Sequence, residues 1–240
     1  MTEFRPGRFE ILPVIIKNLL IINGLFFLAK QTFPESAISN FSIKDLFALH
    51  TWESDLFKPW QLVTHMFMHD GYDHILRNMF MLWMFGSVLE NLWGSTRFIT
   101  FYLVCGLGAA LIHLLSLSYE SSHELAKSFE ATKLGEIQNA IDAMTKYNQI
   151  INTASLGASG AVFGILAAFV YLFPNTYIYL YFLVPVKAKW IGLIYFGFEV
   201  FSAVQNAAGD NVARWAHVGG AVVGLIIVIT WNKTNKKTFY

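Results

Sequence analysis

The sequence is poor in charge. Asp, Glu, Lys and Arg make up 14% of its 240 residues, against about a quarter in a water-soluble domain. So few charges cannot cover a surface that meets water on all sides. Neither sign is in excess: 17 basic and 16 acidic residues leave a net charge of +1, so no nucleic-acid partner is indicated. The single cysteine, Cys105, excludes an internal disulfide and says nothing firm about redox compartment. Internal repeats and low-complexity tracts are absent. What fills the chain instead is apolar: 55% hydrophobic residues, with 22 Phe, 10 Tyr and 7 Trp, and a mean hydropathy of +0.47. Aromatics in this number suit a lipid core and its interfaces.

A helix needs about 20 apolar residues to cross the hydrocarbon core of a bilayer. Six candidate spans follow, at about 11–29, 74–89, 98–117, 157–173, 190–204 and 214–231. They predict an all-α, polytopic membrane protein, a six-transmembrane-helix bundle forming one membrane domain over 1–240. The first run is too long for a signal-peptide core and no small-x-small site ends it, so it is read as an anchor that stays in the membrane. Residues 30–60 hold Pro34, Pro59 and several charges, and read as an extracytoplasmic loop at the interface, anchored by Trp52, Phe57 and Trp60. Residues 118–155 are the most polar stretch. Ile137, Ile141, Met144 and Ile151 fall on one helical stripe, which predicts a polar helical insert resting on the membrane surface. A short apolar link with Pro174, Pro185, Lys187 and Lys189 joins the fourth and fifth spans.

Basic flanks set orientation. Arg5, Arg8, Lys17, Arg97, Lys187, Lys189 and the C-terminal Lys233, Lys236 and Lys237 fall on one side of a six-span chain, whereas 205–213 has no Lys or Arg. Both termini are therefore expected in the cytoplasm. The membrane expected is a bacterial plasma (inner) membrane, with the lipid bilayer as the constant partner.

Polar groups inside apolar spans are costly and so are functional candidates. Ser159 falls in the first turn of the fourth span, where backbone N–H groups lack intrahelical partners and the helix dipole favours negative charge. That suits an oxyanion formed when a serine attacks a carbonyl. Gly157 and Gly160 let other backbone approach closely. A lone Gly-x-Ser-Gly more often serves helix packing, as a lone intramembrane His more often serves structure. But His217 is followed by Gly220 and Gly224 on one face, and Gly160 and Gly164 make a matching face on the fourth span. Packing these faces together would bring His217 against Ser159, where a neutral imidazole can take the hydroxyl proton. No Asp or Glu offers itself as a third member, so a dyad is expected. His74 and Asn78, spaced i, i+4, share a helix face and can both donate to an oxyanion. His65 and His69 have the same spacing. Zinc on this cluster is conceivable, but no His-Glu-x-x-His pattern is present, and Asp70 and Asp73 flank Gly71 in a turn. Neither metal nor cofactor is expected.

At this point the chain resembles the rhomboid family of intramembrane serine proteases. The resemblance rests on His65-Met66-Phe67-Met68-His69 with His74-Ile75-Leu76-Arg77-Asn78, on Gly157-Ala158-Ser159-Gly160-Ala161-Val162-Phe163-Gly164, and on Ala216-His217-Val218-Gly219-Gly220 with Gly224, in that order and on those spans. It implies Ser159 as nucleophile and His217 as base, with His74, Asn78 and the Ser159 N–H as the oxyanion hole. Phe163 stands where members often place an aromatic that stacks on the base. Gly157, Gly160, His69 and Gly220 are implied in support. Trp60-Gln61 stands where some members carry Trp-Arg, and this Gln is a departure in the loop. Glu90 and Gly94 look structural. The substrates implied are single-span transmembrane proteins, cut near the outer membrane face. Two rivals stand beside this. A non-catalytic rhomboid-like binder of transmembrane helices usually lacks the serine or the histidine, and this chain has both. A transporter with a proton relay through Glu199 and His113 would need inverted repeats and broken helices, which are not visible; Glu199 is instead expected to meet a neighbouring polar group.

Overall fold

The computed structural model describes residues 9–33, 42–180, 183–205 and 213–234. Arg5, Arg8, Pro34, Lys236, Lys237 and most of the connection 205–213, which entered the reading of topology, lie outside them. Each of the six apolar runs is helical. The helices are α1 (Val14–Thr32), α2 (Ile43–Phe47), α3 (Gln61–Thr64), α4 (Tyr72–Met81), α5 (Ser87–Trp93), α6 (Ser95–Lys133), α7 (Ile137–Asn152), α8 (Ser159–Leu172), α9 (Ala188–Gln205) and α10 (Arg214–Thr234). A π-helical turn, Leu82–Gly86, joins α4 to α5 without a break, so the two make one span. Helices α1, α6 and α10 are each long and apolar enough to cross a membrane. The protein is an all-α integral membrane protein.

Helix α1 starts after Pro13, whose φ of −66° suits a residue entering a helix. Its leading N–H groups, which no helix can satisfy internally, are taken by a side chain from another span. Glu90, 3% exposed, accepts from Ile15 N–H and Ile16 N–H at 2.9 Å each and from the Ser95 hydroxyl at 2.7 Å. A buried carboxylate is tolerable there because donors and the helix dipole meet it together. At the same end of the bundle Trp231, near the end of α10, packs edge-on to Trp93 at 5.5 Å. The start of α1 and the end of α10 thus share a face.

Helix α8 is the core of the bundle. Every residue from Gly160 to Phe169 is buried, within a shell that includes α4, α6, α9 and α10. Its 14 residues span only ~21 Å at 1.5 Å per residue, short of the ~30 Å hydrocarbon core.

Two stretches differ from the sequence reading. The third span does not stop at residue 117 but runs on to Lys133 as one helix of 39 residues. No Gly or Pro interrupts 109–133, and its polar half is rich in Glu, Ala and Lys, which favour helix. Helix α7 then folds back along this extension as an antiparallel hairpin: the Ser128 hydroxyl donates to Ala140 O, and Lys146 reaches Glu124 and Glu120. The face of α7 that is buried carries Ala143 and Ile150, while Ile137 and Ile141 of the expected stripe are exposed. The insert packs on its own neighbouring helix, which was available because α6 continues. The second difference is the link after α8, which forms an antiparallel ribbon, β1 (Tyr177–Leu180) with β2 (Val184–Lys187), in the register Tyr177 to Lys187. The Tyr, Ile and Val of these segments favour strand, a signal that the short length of the link and Pro185 concealed.

Candidate active site

The site is made by two helices that touch backbone to backbone. A Cβ on Gly220 would lie 1.8 Å from the carbonyl oxygen of Gly160, and one on Gly224 would lie 2.7 Å from Gly164 Cα. Side chains of any size on these faces would hold α8 and α10 apart. With the helices in contact, His217 Nε2 lies 2.9 Å from Ser159 Oγ. Ser159 is the first residue of α8, and Phe163 stands one turn further on. Its ring lies flat on the imidazole, with centroids 4.2 Å apart and planes 8° from parallel. Tyr195 of α9 stacks on Phe163 in turn, at 5.1 Å.

A third polar group meets His217, against the expectation of a dyad with no carboxylate at hand. Glu199, 5% exposed, places Oε2 3.1 Å from His217 Nδ1. The same oxygen lies 3.5 Å from Arg214 of α10. The one sequence signal was an acidic residue inside an apolar span; its partner, 18 residues away across a connection, was not legible.

Ser159 opens on a cavity of about 650 Å³ lined by His74, Asn78, Phe163, Glu199 and His217 among others. Gly157 adopts φ +129°, and a Cβ there would meet the His74 ring at 2.9 Å. The residue must therefore be Gly both for its backbone and for the imidazole beside it. Asn78 Nδ2 donates to His74 O, one turn back on α4, at 3.0 Å, so its amide is turned onto its own helix. His69 is buried, edge-on to His74 at 5.0 Å, and lies behind the cavity rather than in its lining.

The strand of chain leading into Ser159 is held by the loop before the second span. Leu49 and Ser155 exchange both backbone hydrogen bonds at 2.8 Å, and Gly157 N–H donates to His65 O at 2.9 Å. Gln61, fully buried, fixes that loop by donating to Asp45 O and Leu56 O and accepting from His50 N–H. It touches the loop and not Ser159 or His217, as its position in the sequence suggested. Two further polar groups line the cavity, joined Nε2 to Oγ at 2.6 Å: His113, which the sequence reading named only for the rival proton relay, and Ser155, which it missed. Lys146, Gln149, Ile150 and Thr153 also line it, so the base of the insert hairpin forms part of the cavity wall.

The chain is 27% identical to RHOMBOID-like protein 12, mitochondrial, of Arabidopsis thaliana, over 94% of its own length and 60% of that protein. It is 29% identical to Rhomboid protein 1, mitochondrial, of Saccharomyces cerevisiae, over 69% of its length and 40% of that protein. It is 25% identical to Rhomboid protease AarA of Providencia stuartii, over 89% of its length and 71% of that protein. The chain thus spans about 60% or less of the first two of these relatives. The sequence profile of the Rhomboid domain matches residues 56–233, which takes in α3 to α10 and every residue of the cavity named above: the chain belongs to the rhomboid family.

Proposed function

We propose that the protein is an intramembrane serine endopeptidase that cleaves single-span membrane proteins, with Ser159 as nucleophile and His217 as general base. The observation that carries this reading is the 2.9 Å approach of His217 Nε2 to Ser159 Oγ between two apolar helices, α8 and α10. A hydroxyl is a weak nucleophile until a base takes its proton. Ser159 Oγ attacks the scissile carbonyl carbon as its proton passes to Nε2. The oxygen of the tetrahedral intermediate becomes negative and is met by donors: the Ser159 N–H, the His74 ring and, once turned from His74 O, the Asn78 amide. Collapse breaks the C–N bond, and His217 returns the proton to the leaving amine. Water entering the cavity then repeats the sequence on the acyl-enzyme. The protease names of AarA and of GluP from Bacillus subtilis support the reading at the level of the family.

The experiment is cleavage of a generic single-span substrate by the purified protein in detergent, with Ser159→Ala alongside. Cleavage by the parent and none by the variant is expected. Equal cleavage by both would overturn the reading. Binding of the substrate helix without cleavage by the parent would favour a non-catalytic binder. As to membrane, the basic flanks support an orientation with both termini cytoplasmic and do not select the membrane: a bacterial plasma membrane is our reading, AarA and GluP are bacterial relatives, and several others bear mitochondrial or chloroplastic names. Protease protection of a C-terminal tag in bacterial spheroplasts tests the orientation.

A further inference from the structure

We propose that Glu199 is a positioning residue for His217, making the Ser159–His217 pair a triad whose third member is carried by α9. This rests on the reading of Ser159 as nucleophile and His217 as base.

The argument begins with cost. Helix α9 is apolar, and its outward residues Leu193, Ile194, Phe198, Phe201 and Val204 are more than half exposed in the isolated chain, as suits a lipid-facing helix. Glu199 is its only acidic residue. A carboxylate on such a helix is expensive unless it faces the interior and finds partners. It faces inward, and its Oε2 meets His217 Nδ1 at 3.1 Å and Arg214 at 3.5 Å. The guanidinium, always charged, gives the carboxylate a cationic partner there.

An ionised carboxylate only accepts hydrogen bonds. The proton of a neutral imidazole facing it must then sit on Nδ1, which leaves the lone pair on Nε2. Nε2 is the nitrogen that faces Ser159 Oγ at 2.9 Å, so the serine hydroxyl can donate to it. Glu199 thereby selects the one tautomer in which His217 can act as base, and favours the imidazolium that forms when it does. Phe163 cannot make this choice. Its stacked ring fixes the imidazole plane but is equally compatible with either tautomer. The two restraints are complementary, and one of them arrives on a different helix from the dyad. Alignment of the base is therefore tied to the seating of α9.

A structural role alone would also explain a buried ion pair, so the test must read the tautomer and the chemistry separately from stability. ¹⁵N NMR of the full protein in nanodiscs, with His217 assigned by comparison with His217→Gln, reports the tautomer directly. Nδ1–H is expected in the parent; Nε2–H there would overturn the proposal, whatever the variants do. In Glu199→Gln the carboxamide can present either an acceptor or a donor, so a mixture of tautomers is expected. The rate of labelling by a small serine-reactive phosphonate and kcat on a membrane substrate should both fall at least about tenfold, with KM little changed, since a wrongly protonated base costs chemistry more than binding. Glu199→Asp, which keeps the charge, should recover part of the loss. If Glu199→Gln keeps kcat within about twofold while Ser159→Ala abolishes cleavage, Glu199 has no positioning role and the protease reading stands. If Ser159→Ala is active, the protease reading itself has failed. A Glu199→Gln protein that does not fold leaves the tautomer of the parent as the deciding measurement.

Discussion

The carbonyl oxygen of Gly160 occupies the space that a Cβ on Gly220 would need, 1.8 Å from where that atom would stand. This contact sets the distance between Ser159 and His217. Gly220→Ala should push α10 off α8, at a cost of about 1–3 kcal/mol of overpacking, and should reduce phosphonate labelling far more than a mild loss of stability would. Gly24→Ala is the control, since a Cβ at Gly24 of α1 meets nothing within 4 Å. Equal labelling in Gly220→Ala and the parent would show that the helices can separate without moving the pair.

Phe163 covers one face of the imidazole at 4.2 Å. Phe163→Tyr keeps that face and should label at close to the parental rate. Phe163→Ala removes a buried ring, a change that typically costs about 3–5 kcal/mol, and frees the imidazole to rotate. Its labelling rate per folded molecule should drop at least about tenfold. The comparison is made from second-order inactivation rates normalised to the folded fraction.

His74 and Asn78 line the cavity beside Ser159. Loss of one donor to an oxyanion typically lowers kcat by about 10²–10³. His74→Ala and Asn78→Ala should each reduce turnover steeply and leave a residue of activity from the donors that remain. A decrease under about threefold in both would remove them from the oxyanion hole.

The hairpin of α6 and α7 closes on Glu124, where Lys127 and Lys146 converge on one carboxylate oxygen at 3.0 and 2.9 Å. Burial acts to raise the Glu124 carboxyl, but hydrogen bonds from the two lysines outweigh it and hold it below the ordinary carboxylate value. The hydrogen bond to Glu124 raises Lys146. A depressed carboxylate contributes stability that is present above its unfolded value and lost as pH falls through the folded one. A raised lysine contributes stability that is lost as pH rises through its folded value. The hairpin should therefore be tightest around neutrality and open at both extremes. Spin labels at the exposed positions 129 and 141 should report a narrow distance at neutral pH that broadens on acidification. In Glu124→Gln it should be broad already at neutral pH, with no acid transition.

Much of the molecule was legible because membrane proteins write their spans locally. Apolar runs near the bilayer thickness located all six, and small residues repeating every fourth position on the fourth and sixth marked the faces that meet. Where the reading stopped, the cause was again physical. Residues 118–133 carry no apolar signal of a span, yet helix continues wherever nothing breaks it, so composition ended the third span at 117 and the backbone did not. The ribbon after α8 was hidden because four-residue strands are too short for alternation to stand out.

The amino-acid sequence by itself determined that the chain lives in a bilayer, where its apolar spans lie, and that Ser159 and His217 stand at or near the start of two of them. These follow from hydrophobicity and residue size, which act over a few neighbouring positions. The tertiary structure alone decided that Glu199 of α9 meets His217 Nδ1, that the loop carrying Leu49 and His65 grips the chain just before Ser159, and that the base of the insert walls the cavity. Each of these is a contact between segments far apart in the chain, set by the rotation and depth of whole helices. A side chain carries no local trace of the distant partner it will meet.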